Sequence, residues 1–168
     1  MHIIFPLLMV FSIAMLRAMR HKLEREEERA EAVRGGDFVC EYREYGGMAD
    51  RSVTMTLTAN SAGARLAVAE RDGPRAEETR EEFALPPFAS DALVEIYLER
   101  GVCELKKLKR SELIALDAPT RKLRFETAVG ETEIDGDDEL PKRCGALFPD
   151  VTAELGKWRD LFKKAKAK

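Results

Sequence analysis

The residues from Phe38 to Ala59 alternate between apolar and polar side chains, and this alternation constrains the fold more than any other feature of the chain. Apolar residues at every second position favour a β-strand with one buried face. The alternation is interrupted by Tyr45-Gly46-Gly47-Met48, which is typical of a turn. The sequence therefore predicts two antiparallel strands with one face in a core and the other in solvent.

Two more strand patterns follow this pair. Turns at residues 60–63 and 72–74 enclose a third strand around Leu66 and Val68. A fourth strand, within residues 75–83, is mostly charged, as is common for edge strands, because charge discourages pairing with another chain. We therefore expect a four-stranded antiparallel meander.

The second half of the chain combines helices with a hairpin. Apolar residues between 91 and 100 recur at three- and four-residue spacing, which predicts a helix that ends at Gly101. A hairpin turning at Gly130 follows, and the spacing of apolar residues from Phe148 to Phe162 predicts a last helix. The predicted fold class is α+β, an antiparallel sheet of about five to seven strands packed by two helices and preceded by an N-terminal hydrophobic and charged helix.

The order of these elements resembles a loose group of small bacterial envelope-associated α+β domains of unknown function. The matching segments are Tyr42–Met48, Leu93–Val102 and Leu140-Pro141 before the last helix. The resemblance covers residues 37–162 and implies no specific activity or site residues. Many domains of this group follow a lipoprotein or signal segment, whereas this chain has no cysteine before Cys40 to carry a lipid.

The first 19 residues are predicted to form a hydrophobic anchor helix. Ile3 to Leu16 is almost entirely apolar, and Arg17 is the first charged residue. As a helix, residues 1–19 would measure about 28 Å, just enough for a bilayer core. A cleaved signal peptide and a helix docked on protein are the alternatives. Basic residues follow the apolar segment and none precedes it, so we expect the domain to face the cytoplasm, with export as the alternative.

Residues 20–36 are predicted to form a charged helical stalk that ends at a Gly-Gly linker. Arg20–Glu24 and Lys22–Glu26 have the spacing of helical ion pairs. Few large apolar residues occur here, so we expect no buried face, and a partner-binding helix is the alternative. Residues 37–168 then form the globular domain with a Lys-rich end.

Charge is distributed unevenly along the chain. The total is −3, but residues 37–156 carry −9 and residues 157–168 carry +5. The negative field of the domain repels phosphate, so we expect no nucleic-acid partner. Lysines at the end of the last helix favour the helix dipole. Alternatively, they contact anionic lipid headgroups, and the candidates for this membrane-surface contact are Lys163, Lys164, Lys166 and Lys168.

Residues suited to catalysis are scarce. The two histidines, His2 and His21, both precede the domain, which excludes Ser-His-Asp and Cys-His catalysis within it. The three cysteines, Cys40, Cys103 and Cys144, are too widely spaced for a CxxC zinc site, and no Gly-rich phosphate loop occurs. We therefore expect a non-enzymatic protein without a cofactor.

One acidic cluster offers oxygen ligands for calcium. It contains Asp135, Asp137, Asp138 and Glu139. An EF-hand counted from Asp135 would need glycine at its sixth position and glutamate at its twelfth, where the chain has Leu140 and Ala146. We therefore expect a solvated acidic turn and no metal site.

Together these observations predict a membrane-anchored, non-enzymatic domain that binds a protein partner or has a structural role. A carboxylate-based or calcium-dependent envelope hydrolase is one alternative. The other is a subunit of a larger membrane complex that docks through residues 1–34.

Overall fold

The computed structural model describes residues 4–47, 50–105, 119–136 and 140–166, with side chains from residue 15 onwards. Its long elements are three helices and six strands: α1 (Ile4–Gly35), β1 (Phe38–Gly46), β2 (Arg51–Asn60), β3 (Gly63–Asp72), β4 (Thr79–Leu85), α2 (Asp91–Glu99), β5 (Thr120–Thr127), β6 (Gly130–Asp135) and α3 (Leu147–Lys166). Short 3₁₀ turns lie at Pro87–Ser90, Val102–Glu104 and Lys142–Cys144.

The six strands form one antiparallel sheet in the order β4-β3-β2-β1-β5-β6. The first four strands make the predicted meander, and β5–β6 make the predicted hairpin. The chain then places β5 beside β1, so that β1 is paired on both sides, with Cys40 between Leu57 and Phe125. This arrangement confirms the predicted α+β class and antiparallel sheet.

The hydrophobic core lies between α2, α3 and one side of the sheet, the covered face. The strand residues that alternate inward are almost fully buried there, Cys40 among them. Three aromatic rings meet at its centre, with centroids 6.2 Å apart for Phe38 and Phe125 and 5.3 Å apart for Tyr97 and Phe125. Both predicted helices therefore bury their apolar stripes on the same face.

The end of α2 follows the sequence prediction. Gly101 has φ 61° and ψ 35°, a left-handed conformation that glycine adopts without steric cost. The turn directs Val102 back into the core, where it is fully buried.

Helix α1 runs without interruption for 32 residues, which corresponds to about 48 Å. It ends at Gly35, as predicted, but the expectation of no buried face is wrong for its last turn. Val33 is 1% exposed in the core, and Arg34 donates to both carboxylate oxygens of Glu95 on α2, at 2.8 and 3.1 Å. At Gly36, an added Cβ would lie 2.8 Å from both the Ala128 Cβ and the Ala32 carbonyl oxygen. The joint between helix and domain is therefore closely packed.

The preceding part of α1 extends away from the core. Its described side chains from residue 15 to residue 29 are all exposed, and they include four large apolar residues that are each more than half exposed, namely Met15, Leu16, Met19 and Leu23. In the part of the chain that the structure describes, none of the helices contains an apolar stretch of the length and hydropathy that a membrane span needs.

Candidate functional site

The side of the sheet opposite the core, the open face, is one candidate binding surface. No described element packs on it. Its centre consists of small side chains from the three strands β2, β3 and β4, the Ala–Thr patch: Thr54, Thr56, Thr58, Ala67, Ala69 and Ala84. The strand register places Thr56 directly opposite Ala67 and Thr54 opposite Ala69. A depression of about 680 Å³ covers part of this patch at the β2–β3 turn.

Charged side chains lie around the Ala–Thr patch and, at Arg65, between Thr58 and Ala84, and most of them pair with one another. At the β3–β4 border, Arg65 lies 3.3 Å from Glu82. On β1, Arg43 lies 2.8 Å from Glu41. Towards β6, Arg124 lies 2.9 Å from Glu131. The patch is therefore a small-residue surface within a border of largely neutralised charge.

A second candidate site is the α3 cleft, between α3 and the end of the covered face near the β1–β2 turn. Its volume is about 480 Å³. The lining combines apolar, small and charged residues: Tyr42, Glu44, Arg51, Val53, Met55, Arg121, Phe148, Pro149, Thr152, Gly156 and Arg159. The cleft forms because β1, β2 and β5 extend beyond the hydrophobic core.

Three side chains make a fixed polar network in the α3 cleft. The Tyr42 hydroxyl donates to a Glu44 carboxylate oxygen, which also accepts from Arg121 Nε at 3.1 Å. Tyr42 is 5% exposed, and burial, followed by the neighbouring Glu44, raises the pKa of its phenol. The phenol therefore stays protonated, and a donor, across the physiological pH range.

The other two arginines of the cleft are also held by ion pairs with the sheet. Arg51 Nε lies 3.1 Å from Asp72, and Arg159 Nη1 lies 3.2 Å from Glu70. These carboxylates orient both guanidinium groups at the cleft wall.

The predicted acidic cluster is only partly within the described residues. Asp135 lies at the end of β6, where its carboxylate is 3.1 Å from Lys122 Nζ. This hydrogen bond raises the pKa of Lys122. Asp137, Asp138 and Glu139 lie outside the described residues. Within the described part of the chain, no group of three or more histidine, cysteine or acidic residues could hold a metal ion.

Two of the lysines predicted to contact a membrane surface bind the sheet instead of pointing freely into solvent. Lys163 Nζ lies 3.2 Å from Glu70, and Lys166 Nζ lies 3.0 Å from Glu81 and 5.0 Å from the centre of the Phe83 ring. Lys164 is exposed, and Lys168 lies outside the described residues. Contact of these lysines with lipid stays a prediction.

Sequence reasoning did not identify the residues of the α3 cleft. Their arginines occur in three separate elements, and nothing in the local sequence distinguishes them from the other basic residues. One observable signal was Gly156, a helix-disfavouring residue in the middle of a strongly amphipathic segment.

Comparison with known proteins gives no assignment. No protein-family model matches the chain, and a search of curated proteins finds no match to it.

Proposed function

We propose that this protein is a membrane-tethered, non-enzymatic domain that binds a protein partner through the open face. The observation that carries this proposal is the Ala–Thr patch on a sheet whose other face is covered by α2 and α3. When a partner covers the methyl groups of these alanines and threonines, apolar surface is removed from water, which favours binding. Short side chains also lose little conformational entropy when they are covered. The patch would therefore act as the centre of an interface and the paired charges as its rim.

The partner that fits this surface is a protein presenting a ridge of small aliphatic side chains. The side chains of Thr54, Thr56, Ala67 and Ala69 are small, so such a ridge can approach the sheet closely there, beside the paired Arg65 and Glu82. Arg65, Arg43 and Arg124 each pair with a carboxylate, and residues 37–156 carry a net charge of −9, which together disfavour a polyanionic partner.

The tether is proposed from the sequence of residues 1–19 and supported by the geometry of α1. The helix extends away from the core, and Met15, Leu16, Met19 and Leu23 along it are exposed. Covering apolar side chains of an exposed helix with lipid or another protein removes them from water, which is favourable. The packed joint at Val33 and Arg34 would then hold the domain at a defined orientation to its anchor.

Site-specific photocrosslinking in intact membranes tests the partner surface. A benzoylphenylalanine at Ala67, at the centre of the Ala–Thr patch, should give an adduct with one protein. The matched control is Ala92, which is exposed on α2 and lies on the opposite side of the domain. Mass spectrometry of the adduct should place the crosslink on a segment rich in small aliphatic residues.

A charge placed in the patch provides the second arm of this test. Ala67→Glu should abolish the adduct formed from a neighbouring probe at Ala84, while Ala92→Glu should not change it. Equal adducts from Ala67 and Ala92 would contradict the proposal. An adduct formed only from a probe at Leu16 would favour the alternative of a complex subunit that docks through residues 1–34.

Thiol labelling tests the side of the membrane. A cysteine introduced at Ala62, exposed in the β2–β3 turn, should react with a membrane-impermeant maleimide only after the cells are permeabilised. The partly exposed Cys103 is replaced by serine in this variant to remove background labelling. Labelling in intact cells would support export, and recovery of the protein in the soluble fraction would contradict the tether.

A further inference from the structure

We infer that the α3 cleft binds a small organic carboxylate with an apolar body. This inference is independent of the partner surface, since the cleft lies on the covered face. Four features support it: the shape of the cleft, its arginines, its fixed polar network and a glycine that leaves part of it empty.

The cleft has the volume of a small-molecule site, and apolar residues form part of its otherwise polar lining. Its volume of about 480 Å³ lies within the range of about 300–1,000 Å³ usual for ligand pockets. Val53 and Met55 contribute apolar surface from the sheet, and Phe148 and Pro149 contribute it from the first turn of α3. An aliphatic or aromatic ligand body can therefore lie between sheet and helix.

Three guanidinium groups converge on the same space from three elements. Arg51 comes from β2, Arg121 from β5 and Arg159 from α3, and Glu44 is the one acidic residue among the described residues of the lining. The ion pair of Arg51 with Asp72 is made through Nε. A guanidinium edge presents two parallel N–H groups that match the two oxygens of a carboxylate.

The polar network keeps one of these cations in place. Glu44 is held by both Tyr42 and Arg121, so the Arg121 side chain is oriented before any ligand arrives. A preorganised cation loses less side-chain entropy on binding than a flexible one. Carboxylates offset the charge of all three arginines, which disfavours a phosphate group with two charges more than a monoanion. They are Glu44, Glu70, Asp72 and Asp160.

Gly156 has no side chain and therefore leaves open space on the α3 side of the cleft. It lies in the interior of α3, where glycine is disfavoured relative to alanine. It lines the cleft, and a Cβ built there meets no atom within 4 Å. A side chain at this position would therefore occupy the space that the ligand body needs.

Fluorine NMR of a probe carboxylate tests the inference. We would titrate 4-fluorobenzoate with the full chain in a neutral detergent, with detergent alone as the blank and 4-fluorobenzyl alcohol as the uncharged probe. We expect saturable broadening of the benzoate signal, no broadening of the alcohol signal, and at least a tenfold weaker affinity for Arg51→Gln.

Two further variants separate binding in the cleft from general charge effects. Gly156→Met should abolish benzoate binding without removing any charge, because its side chain fills the cleft. Arg65→Gln, on the open face, removes the same charge as Arg51→Gln and should leave the affinity unchanged. Circular dichroism melts confirm that each variant is folded, and Gly156→Ala replaces Gly156→Met if the larger side chain unfolds the protein.

Three results would overturn the inference. The first is no saturable benzoate signal at millimolar concentration. The second is an affinity that Gly156→Met leaves unchanged, which would place the probe elsewhere. The third is displacement by an equal concentration of inorganic phosphate, which would show a general anion site instead of one selective for carboxylates.

Discussion

The two faces of the sheet are built from the same strands, yet different physical requirements determine their residues. On the covered face, Leu57, Leu66 and Leu123 have no exposed surface because α2 and α3 pack on them. On the open face, their neighbours in sequence, such as Thr58 and Ala67, are exposed. Close packing limits the choice of residue on the covered face. The open face has no such limit from the described elements, so its small side chains are more informative about binding.

The covered face itself contains a second contrast. Its centre is buried and apolar around Phe38 and Phe125, whereas its end near the β1–β2 turn is polar and forms the α3 cleft. The change occurs within single strands, for example from Tyr42 to Glu44 on β1. A continuous secondary structure can therefore carry a stabilising region and a candidate ligand site only a few residues apart.

The largest expected effect is a difference in the loss of stability between substitutions on the two faces. Phe125→Ala removes a fully buried ring in contact distance of two other aromatic rings and should lower the free energy of unfolding by about 3–5 kcal/mol. Thr56→Ala, on the open face, should change it by less than about 0.5 kcal/mol. Urea denaturation measures both. Similar losses for the two variants would mean that the open face is packed in the folded protein.

The next largest effect on stability is expected at the joint between α1 and the domain, where two adjacent glycines can be compared. Gly36→Ala places a Cβ 2.8 Å from two neighbouring atoms and should destabilise the protein by about 1–3 kcal/mol. The adjacent Gly35→Ala meets no atom within 4 Å and should be neutral or slightly stabilising. Thermal melts distinguish the two variants. An unchanged melting temperature for Gly36→Ala would show that helix and domain are loosely connected.

Alkaline pH should reveal the buried titratable groups of the covered face. Burial raises the pKa values of the Tyr42 phenol and the Cys40 thiol in the folded protein above the values of 10.0 and 9.0 that they have in the unfolded chain. Below pH 9 both groups are neutral in both states, and neither makes stability depend on pH. Above these values the unfolded chain releases protons that the folded chain retains. Stability should fall by at most about 1.4 kcal/mol per pH unit for each group.

The variant Tyr42→Phe isolates one of these groups. It should reduce the slope of stability against pH above pH 10 and leave the slope below pH 9 unchanged. Urea denaturation at several pH values gives both slopes. A wild-type stability that does not decrease above pH 10 would contradict the burial of both groups.

Most of the fold could be predicted from the sequence because strands, turns and helices are marked by patterns among residues that are close together in the chain. Alternation marks the strands, glycine-containing turns separate them, and three- and four-residue spacing marks α2 and α3. The turn at Gly101 was also predicted, since a left-handed residue at a helix end favours glycine. These features depend on residues close together in the chain.

The joint and the candidate sites could not be predicted, because they depend on contacts between distant segments. Glu44 and Arg121 are 77 residues apart, and only the pairing of β1 with β5 brings them together. Similarly, nothing near Val33 indicates that it enters a core formed by strands and helices further along the chain. The Ala–Thr patch needed the sheet register, since its residues come from three strands.

The smallest expected effect is that of Gly156→Ala, which tests whether glycine at this position makes the protein less stable than alanine would. Gly156→Ala should raise the free energy of unfolding by about 0.5–1 kcal/mol, because alanine restricts the unfolded chain and favours the helix. The added methyl group meets no atom within 4 Å, so no clash offsets this gain. Thermal denaturation without ligand measures it, with Ala153→Gly, exposed on the same helix, as the reverse control. A destabilised Gly156→Ala together with the expected loss in Ala153→Gly would contradict the open space at this position. A stabilised variant would show that the fold does not require glycine here.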